Sequence, residues 1–166
     1  MSMKIDFSDD EIRIFDFDEL EAYRIARKME EDGIYYYSRM LDEILKPKIL
    51  DVLQMLIRDE RAHLNLFSEK VEELARQYGV TDEGETLADI ADSKVFDILK
   101  DPERVADILC TPQEAVRLAI EVEKRSIMFY NQILANTQNK TGRAALHSLI
   151  SEEQDHVKRL ESLLRK

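Results

Sequence analysis

The sequence contains few of the residues that interrupt helices or cross-link small secreted domains. Its 166 residues include four glycines, three prolines, one cysteine and no tryptophan. A single cysteine excludes an internal disulfide framework and any four-cysteine metal site within one chain. Scarce glycine and proline, together with abundant leucine, isoleucine, glutamate, lysine and arginine, predict an all-α protein. The length suits one domain with its own hydrophobic core.

Positive charge is also in short supply. Lysine and arginine number 24 against 35 aspartates and glutamates, which gives a formal net charge of −11. Such a surface repels nucleic-acid phosphates and anionic lipid, so we expect neither as a partner. The acidic N-terminus lacks the apolar segment of a signal peptide, and no apolar run approaches the ~20 residues of a membrane span. We therefore expect a cytoplasmic protein.

Capping residues and helix breakers predict four long helices. Asp18 and Thr111 are typical N-cap residues, each with a glutamate three positions later, and Pro47 and Gly79 end the first and second helices. The predicted helices cover residues 18–46, 48–78, 111–135 and 143–166.

Two further segments have weaker signals. Residues 79–110 are interpreted as a crossover with local helices, one of them a short amphipathic helix over residues 87–100. Residues 1–17 form an N-terminal arm, either an extended segment or a short cap.

The first helix pair recurs in the second at an offset of 93 residues, without a gap. Hydrophobic matches would follow from packing alone. Glutamate and histidine on a solvated face are free to vary, so matches between these residues are more informative. The polar and aromatic matches pair Glu30 with Glu123, Tyr37 with Tyr130, Glu60 with Glu153, and His63 with His156. Each half is therefore a helical hairpin with the same set of candidate ligands.

The spacing of these residues predicts a metal site. Residues three apart on a helix lie on the same side, about 4.5 Å apart along the axis, so each Glu-x-x-His can converge on one point. Halfway between residues 30 and 60 is residue 45, beside the break at Lys46 and Pro47, and halfway between residues 123 and 153 is residue 138, within the loop predicted between the third and fourth helices. Because hairpin partners are level when they are equidistant from the turn, each remaining glutamate lies beside its Glu-x-x-His partner.

Four carboxylates and two imidazoles at one height require cations. Four buried like charges would be too costly to keep ionised, and two divalent ions would balance them. Mixed oxygen and imidazole ligands suit iron or manganese, and zinc less specifically. Tyr37 and Tyr130 follow the first glutamate of each half by seven residues on the same face. We expect them to hydrogen-bond to ligands from the other helix pair.

The doubled Glu…Glu-x-x-His pattern resembles the ferritin-like superfamily, specifically the rubrerythrin-like diiron-carboxylate proteins, over residues 18–78 and 111–166. The resemblance implies an antiparallel four-helix bundle of two repeated hairpins with a long crossover, and often a homodimer. It also implies the ligand roles: Glu60 and Glu153 bridge the two metals, Glu30 and Glu123 are terminal carboxylates, and His63 and His156 each bind one metal.

The sequence departs from rubrerythrins in two respects. Ser126 stands where rubrerythrins carry a further glutamate, one turn after the ligand of the third helix. Without that glutamate, the ligand set is equally similar to that of bacterioferritin. The four-cysteine rubredoxin domain is also absent, so a peroxidase of this type needs a separate electron donor, such as a rubredoxin.

Three functions agree with the pattern. The first is an oxidoreductase whose reduced iron pair reduces hydrogen peroxide in oxidative-stress defence. The second is a ferroxidase centre for iron handling or storage, with dioxygen or peroxide as the oxidant. The third is a structural metal site in a protein that binds a partner through its acidic surface or residues 79–110.

Overall fold

The computed structural model of the protein describes residues 4–6, 13–15, 17–81 and 95–166. Helices dominate this part of the chain, and the prediction of a helical bundle is confirmed. The α-helices are α1 (Glu19–Glu43), α2 (Pro47–Tyr78), α3 (Pro102–Ile108), α4 (Pro112–Ala135) and α5 (Lys140–Leu164). Within the described ranges, no helix is both long and apolar enough to cross a membrane.

The two repeated helices, α1 and α4, begin in the same way. The Asp18 side chain accepts a hydrogen bond from the backbone N–H of Glu21 at 3.0 Å. Thr111 accepts from the backbone N–H of Glu114 at 3.2 Å, and the Glu114 carboxylate accepts from that of Thr111 at 3.1 Å. Side-chain acceptors thus satisfy N–H groups that have no partner within the helix.

Two predicted helix boundaries were wrong by three residues. The first helix ends at Glu43 rather than at residue 46, because Ile44 and Lys46 adopt extended backbone conformations and Pro47 already begins α2. The last helix begins at Lys140 rather than at residue 143. Its N-cap is Asn139, whose side chain accepts hydrogen bonds from the backbone N–H groups of Thr141 and Gly142.

The arm and the crossover differ from a simple helical connection. The arm contains two short strands, β1 (Lys4–Asp6) and β2 (Arg13–Phe15), which pair antiparallel with Ile5 opposite Ile14. The predicted short helix over residues 87–100 lies mostly outside the described residues, and Asp97–Leu99 form one turn of 3₁₀ helix. Among the described residues of these two segments, the elements are two three-residue strands, one 3₁₀ turn and the seven-residue helix α3.

The long helices pack in sequential pairs. α1 lies along α2 and α4 lies along α5, and the two pairs meet through contacts of α1 with α5 and of α2 with α4. The core between them is apolar and includes Leu56, Phe129 and Leu146, each at most 2% exposed. A cluster of polar side chains interrupts this core and occupies the space between the two hairpins.

Candidate metal centre

The six predicted ligands are buried together in the bundle. Each of the four long helices contributes to the cluster, and no member is more than 8% exposed. α1 and α4 each supply one glutamate, and α2 and α5 each supply a glutamate and a histidine; the residues are Glu30, Glu60, His63, Glu123, Glu153 and His156. Burial of so many ionisable groups is costly and needs a compensating interaction.

Each histidine faces the glutamate of the preceding helix. Nδ1 of His63 lies 3.4 Å from Oε1 of Glu30, and Nδ1 of His156 lies 3.3 Å from Oε1 of Glu123. The two contacts are equivalent under the 93-residue repeat. The imidazole rings also approach each other, with centroids 5.3 Å apart and planes at 86°. The hairpins therefore place two similar half-sites side by side.

Two groups of three residues have ligand atoms close enough to share a metal ion. One group is His63, Glu153 and His156, and the other is Glu60, Glu123 and His156. In each group, one ligand atom per residue lies within 4.8 Å of the other two. Carboxylate oxygen and imidazole nitrogen are suitable donors for divalent transition metals. The buried cluster could thus hold a metal ion.

Burial dominates the electrostatics of the four carboxyl groups. It raises the pKa of Glu30, Glu60 and Glu153 well above the ordinary glutamate value, and it raises the pKa of Glu123 to about 8. The negative charge of neighbouring glutamates raises these values further. Without a cation, the carboxyl groups would therefore keep protons that isolated glutamates lose. A bound metal would replace these protons as the source of positive charge.

Several polar atoms of the cluster lack a hydrogen-bond partner among the described residues. They include both ring nitrogens of His156, Nδ1 of His63, Oε2 of Glu30 and Oε1 of Glu60. Buried polar atoms in folded proteins are nearly always paired, so each of these needs an explanation. Metal coordination would satisfy Nδ1 of both histidines and the carboxylate oxygens, and the donor set therefore fits a metal ion.

The two predicted tyrosines lie beside the cluster but do not make the predicted hydrogen bonds. Tyr37 and Tyr130 are at most 1% exposed, and their hydroxyl groups have no hydrogen-bond partner among the described residues. Burial raises both pKa values well above 10, and the nearby glutamates raise them further. The largest charge effect comes from Glu60 on Tyr37 and from Glu153 on Tyr130, so each tyrosine is most affected by its own hairpin.

The sequence interpretation missed one charged neighbour of the cluster. Oδ2 of Asp59 lies 3.4 Å from Nε2 of His156, on the ring edge opposite Glu123, although the pair is not aligned as a hydrogen bond. Asp59 directly precedes Glu60 in the chain, and its counterpart under the repeat, Glu152, is exposed. The position of Asp59 next to Glu60 was the only signal for it in the sequence. Its contact with His156 depends on the packing of α2 against the second hairpin.

Comparisons with known protein families, curated proteins and solved structures return no match for this chain. The internal repeat and the geometry of the buried cluster are therefore the basis for its functional interpretation.

Proposed function

We propose that the chain is a ferritin-like protein with a dinuclear non-haem iron site, and that the reduced site reduces hydrogen peroxide. The observation that carries this proposal is the convergence of four buried glutamates and two buried histidines from two repeated hairpins. Glu60 and Glu153, which belong to the Glu-x-x-His motifs, would each contact both ions, and Glu30 and Glu123 would each contact one. His63 and His156 would each supply one imidazole.

Charge balance supports two divalent cations. Four ionised glutamates carry four negative charges, which two divalent ions neutralise, whereas one ion would leave a net negative charge in the core. The raised pKa values of these carboxyl groups point in the same direction, since they reflect the cost of ionising the cluster without a cation. Oxygen and imidazole donors together favour iron or manganese over softer metals.

A small cavity is lined by the four carboxylates of the cluster. The cavity has a volume of about 10 Å³ available to the centre of a water-sized molecule, and Glu30, Glu60, Glu123 and Glu153 all line it. This is about the space of one water molecule, and metal ions held by the four carboxylates would lie here.

The reaction takes two electrons and two protons. Hydrogen peroxide accepts them, its O–O bond breaks, and two water molecules form. The iron pair would supply the electrons, one from each ion, and a separate donor protein such as a rubredoxin would return them. Tyr37 and Tyr130 keep their hydroxyl protons at neutral pH because burial raises their pKa values. Tyr37, which lines the cavity, can therefore donate a hydrogen bond to a small molecule that reaches it.

Anaerobic loading with ferrous iron, followed by rapid mixing, tests the proposal. We expect two irons per chain after desalting, and oxidation by hydrogen peroxide at least tenfold faster than by dioxygen at equal concentration. Glu60→Gln should lose metal because it removes a bridging carboxylate. Glu152→Gln is the matched control, since Glu152 is an exposed glutamate beside the same site.

Other outcomes separate the competing functions. Oxidation by peroxide that is no faster than by dioxygen would contradict the peroxidase and favour a ferroxidase. Iron uptake far above two per chain, in an assembly of many subunits by light scattering, would favour storage. Two tightly held metals that neither oxidant affects would favour a structural site.

A further inference from the structure

The cavity beside the glutamates is bordered by carboxylates of the cluster and not by its imidazole rings. All four carboxylate residues line it, and neither His63 nor His156 does. Metal ions held by the carboxylates would lie in this space, so the other residues that line it determine what can reach them.

Small residues at two repeat-related positions create the space. Gly33 and Ser126 line the cavity, and each follows its glutamate, Glu30 or Glu123, by three residues on the same helix. A Cβ atom on Gly33 would lie 3.3 Å from Oε2 of Glu60, which is a tight contact. Glycine in the interior of a helix costs about 1 kcal/mol relative to alanine. The glycine that leaves this space open therefore lowers the stability of α1.

Phe96 closes the cavity from outside the four long helices. Among the described lining residues it alone comes from the crossover, and it is 2% exposed. Its ring stacks on Tyr36, with centroids 5.4 Å apart and planes at 23°, and the buried residues Val95 and Leu99 anchor the chain on either side. The Phe96 ring is therefore held in place by packing and cannot be displaced without breaking these contacts.

We propose that Phe96 is a specificity-determining residue that limits the oxidant to the size of hydrogen peroxide or dioxygen. This inference rests on the proposed function, because it assigns the cavity as the place where the oxidant meets the metal pair. An organic hydroperoxide needs the same two electrons and two protons, and it yields one alcohol and one water. The Phe96 ring excludes this substrate by its bulk, since the alkyl group has no space beside the carboxylates.

Anion binding to cobalt-loaded protein tests the size limit without turnover. Azide and trimethylacetate serve as a small and a bulky anion, and the visible spectrum of cobalt(II) reports their coordination. In Phe96→Ala we expect trimethylacetate to bind at least tenfold more tightly than in the wild type, while the azide affinity changes less than threefold. Phe96→Leu, which preserves more of the packing, should show a smaller change in the same direction.

Phe129→Ala is the matched control, because Phe129 is an equally buried phenylalanine, at 2% exposure, that does not line the cavity. It should leave the preference for azide unchanged. In the iron-loaded protein, Phe96→Ala should raise the ratio of oxidation rates by cumene hydroperoxide and hydrogen peroxide at least tenfold.

The failures of the two proposals are distinguishable. If trimethylacetate binds the wild type as tightly as azide does, Phe96 does not set the size limit. The same conclusion follows if both Phe96 variants hold a normal amount of cobalt and still bind trimethylacetate as weakly as the wild type. The dinuclear site would survive either result. Failure of the wild type to retain cobalt or iron would overturn the site itself, and this inference with it.

Discussion

Asp59 and His156 link the two hairpins at the buried cluster. Oδ2 of Asp59 on α2 lies 3.4 Å from Nε2 of His156 on α5, while Nδ1 of the same ring faces Glu123. Burial lowers the pKa of His156, so its ring is neutral near pH 7 and carries a single N–H. The Asp59 carboxylate favours that proton on Nε2, which would leave the lone pair of Nδ1 available to a metal ion at the proposed site.

Replacing Asp59 should weaken metal binding without unfolding the protein. In Asp59→Ala we expect about a 10- to 100-fold lower affinity for zinc or cobalt, because the favoured orientation and protonation of His156 are lost. Asp59→Asn retains an acceptor for the Nε2 proton and should restore part of the affinity. Metal titrations measure this, and Glu152→Ala, at the repeat-related exposed position, is the control. Equal losses in the Asp59 and Glu152 variants would contradict the role of Asp59.

The metal-free protein should lose stability as the pH rises. Glutamate has a pKa of 4.5 when unperturbed, and burial raises the pKa of Glu123 in the folded chain to about 8. Between these values the folded state keeps a proton that the unfolded state has released, so the free energy of unfolding falls with rising pH. The slope is about 1.4 kcal/mol per pH unit for each such carboxyl group.

Urea unfolding at pH 5, 6.5 and 8 in the presence of a chelator measures this dependence. Saturating zinc should reduce it, because bound metal replaces the protons. Glu123→Gln should also reduce it, since the amide does not titrate. A metal-free protein that is equally stable at pH 5 and pH 8 would show that the carboxyl groups are ionised in the folded state.

Removing the Tyr37 hydroxyl should affect reactivity more than metal content. In Tyr37→Phe we expect two irons per chain and oxidation by hydrogen peroxide slowed about tenfold or more, because a hydrogen-bond donor beside the site is lost. The free energy of unfolding should change by less than about 1 kcal/mol, since the hydroxyl has no hydrogen-bond partner among the described residues. Stopped-flow absorption measures the rate.

Tyr23→Phe is the control for this substitution, because Tyr23 is a partly buried tyrosine on the same helix that packs on Phe67 instead. An unchanged oxidation rate in Tyr37→Phe would remove this tyrosine from the reaction.

Gly142 should tolerate no side chain. A Cβ atom there would overlap the carbonyl oxygen of Phe17 and lie 3.0 Å from the carbonyl carbon of that residue. Both are backbone atoms, so neither α5 nor the start of α1 can yield without a shift of the main chain. We expect Gly142→Ala to lower the free energy of unfolding by about 1–3 kcal/mol. Urea unfolding measures the loss, and Ser148→Ala, at an exposed position of α5, should cost far less.

The register of the cluster was accessible from the sequence because it depends on local rules. Helix geometry places Glu60 and His63 on one side of α2, and a short turn makes residues equidistant from it level. The 93-residue repeat then distinguishes the glutamates that are candidate ligands from those on solvated faces. The structure brings the six side chains together as this argument predicts, and their binding of metal remains a prediction.

Other features depend on contacts between segments that are distant in the chain. Asp59 gains its partner from α5, and Phe96 reaches the cavity from an irregular crossover, so no periodicity marks either residue. The start of α5 was missed for a different reason. Gly142 was interpreted as part of a loop, although Asn139 is a good N-cap and the glycine serves a close approach to Phe17.

The even division of the cluster has a consequence for how such a centre can arise. Each hairpin carries one glutamate and one Glu-x-x-His, which is half of the proposed six-ligand set. Neither half can enclose two metals by itself, yet two identical hairpins related by a twofold axis would supply all six ligands. A self-associating peptide of roughly half this length would therefore suffice as an ancestor, and gene duplication with fusion would then allow residues such as Asp59 and Phe96 to differ between the halves.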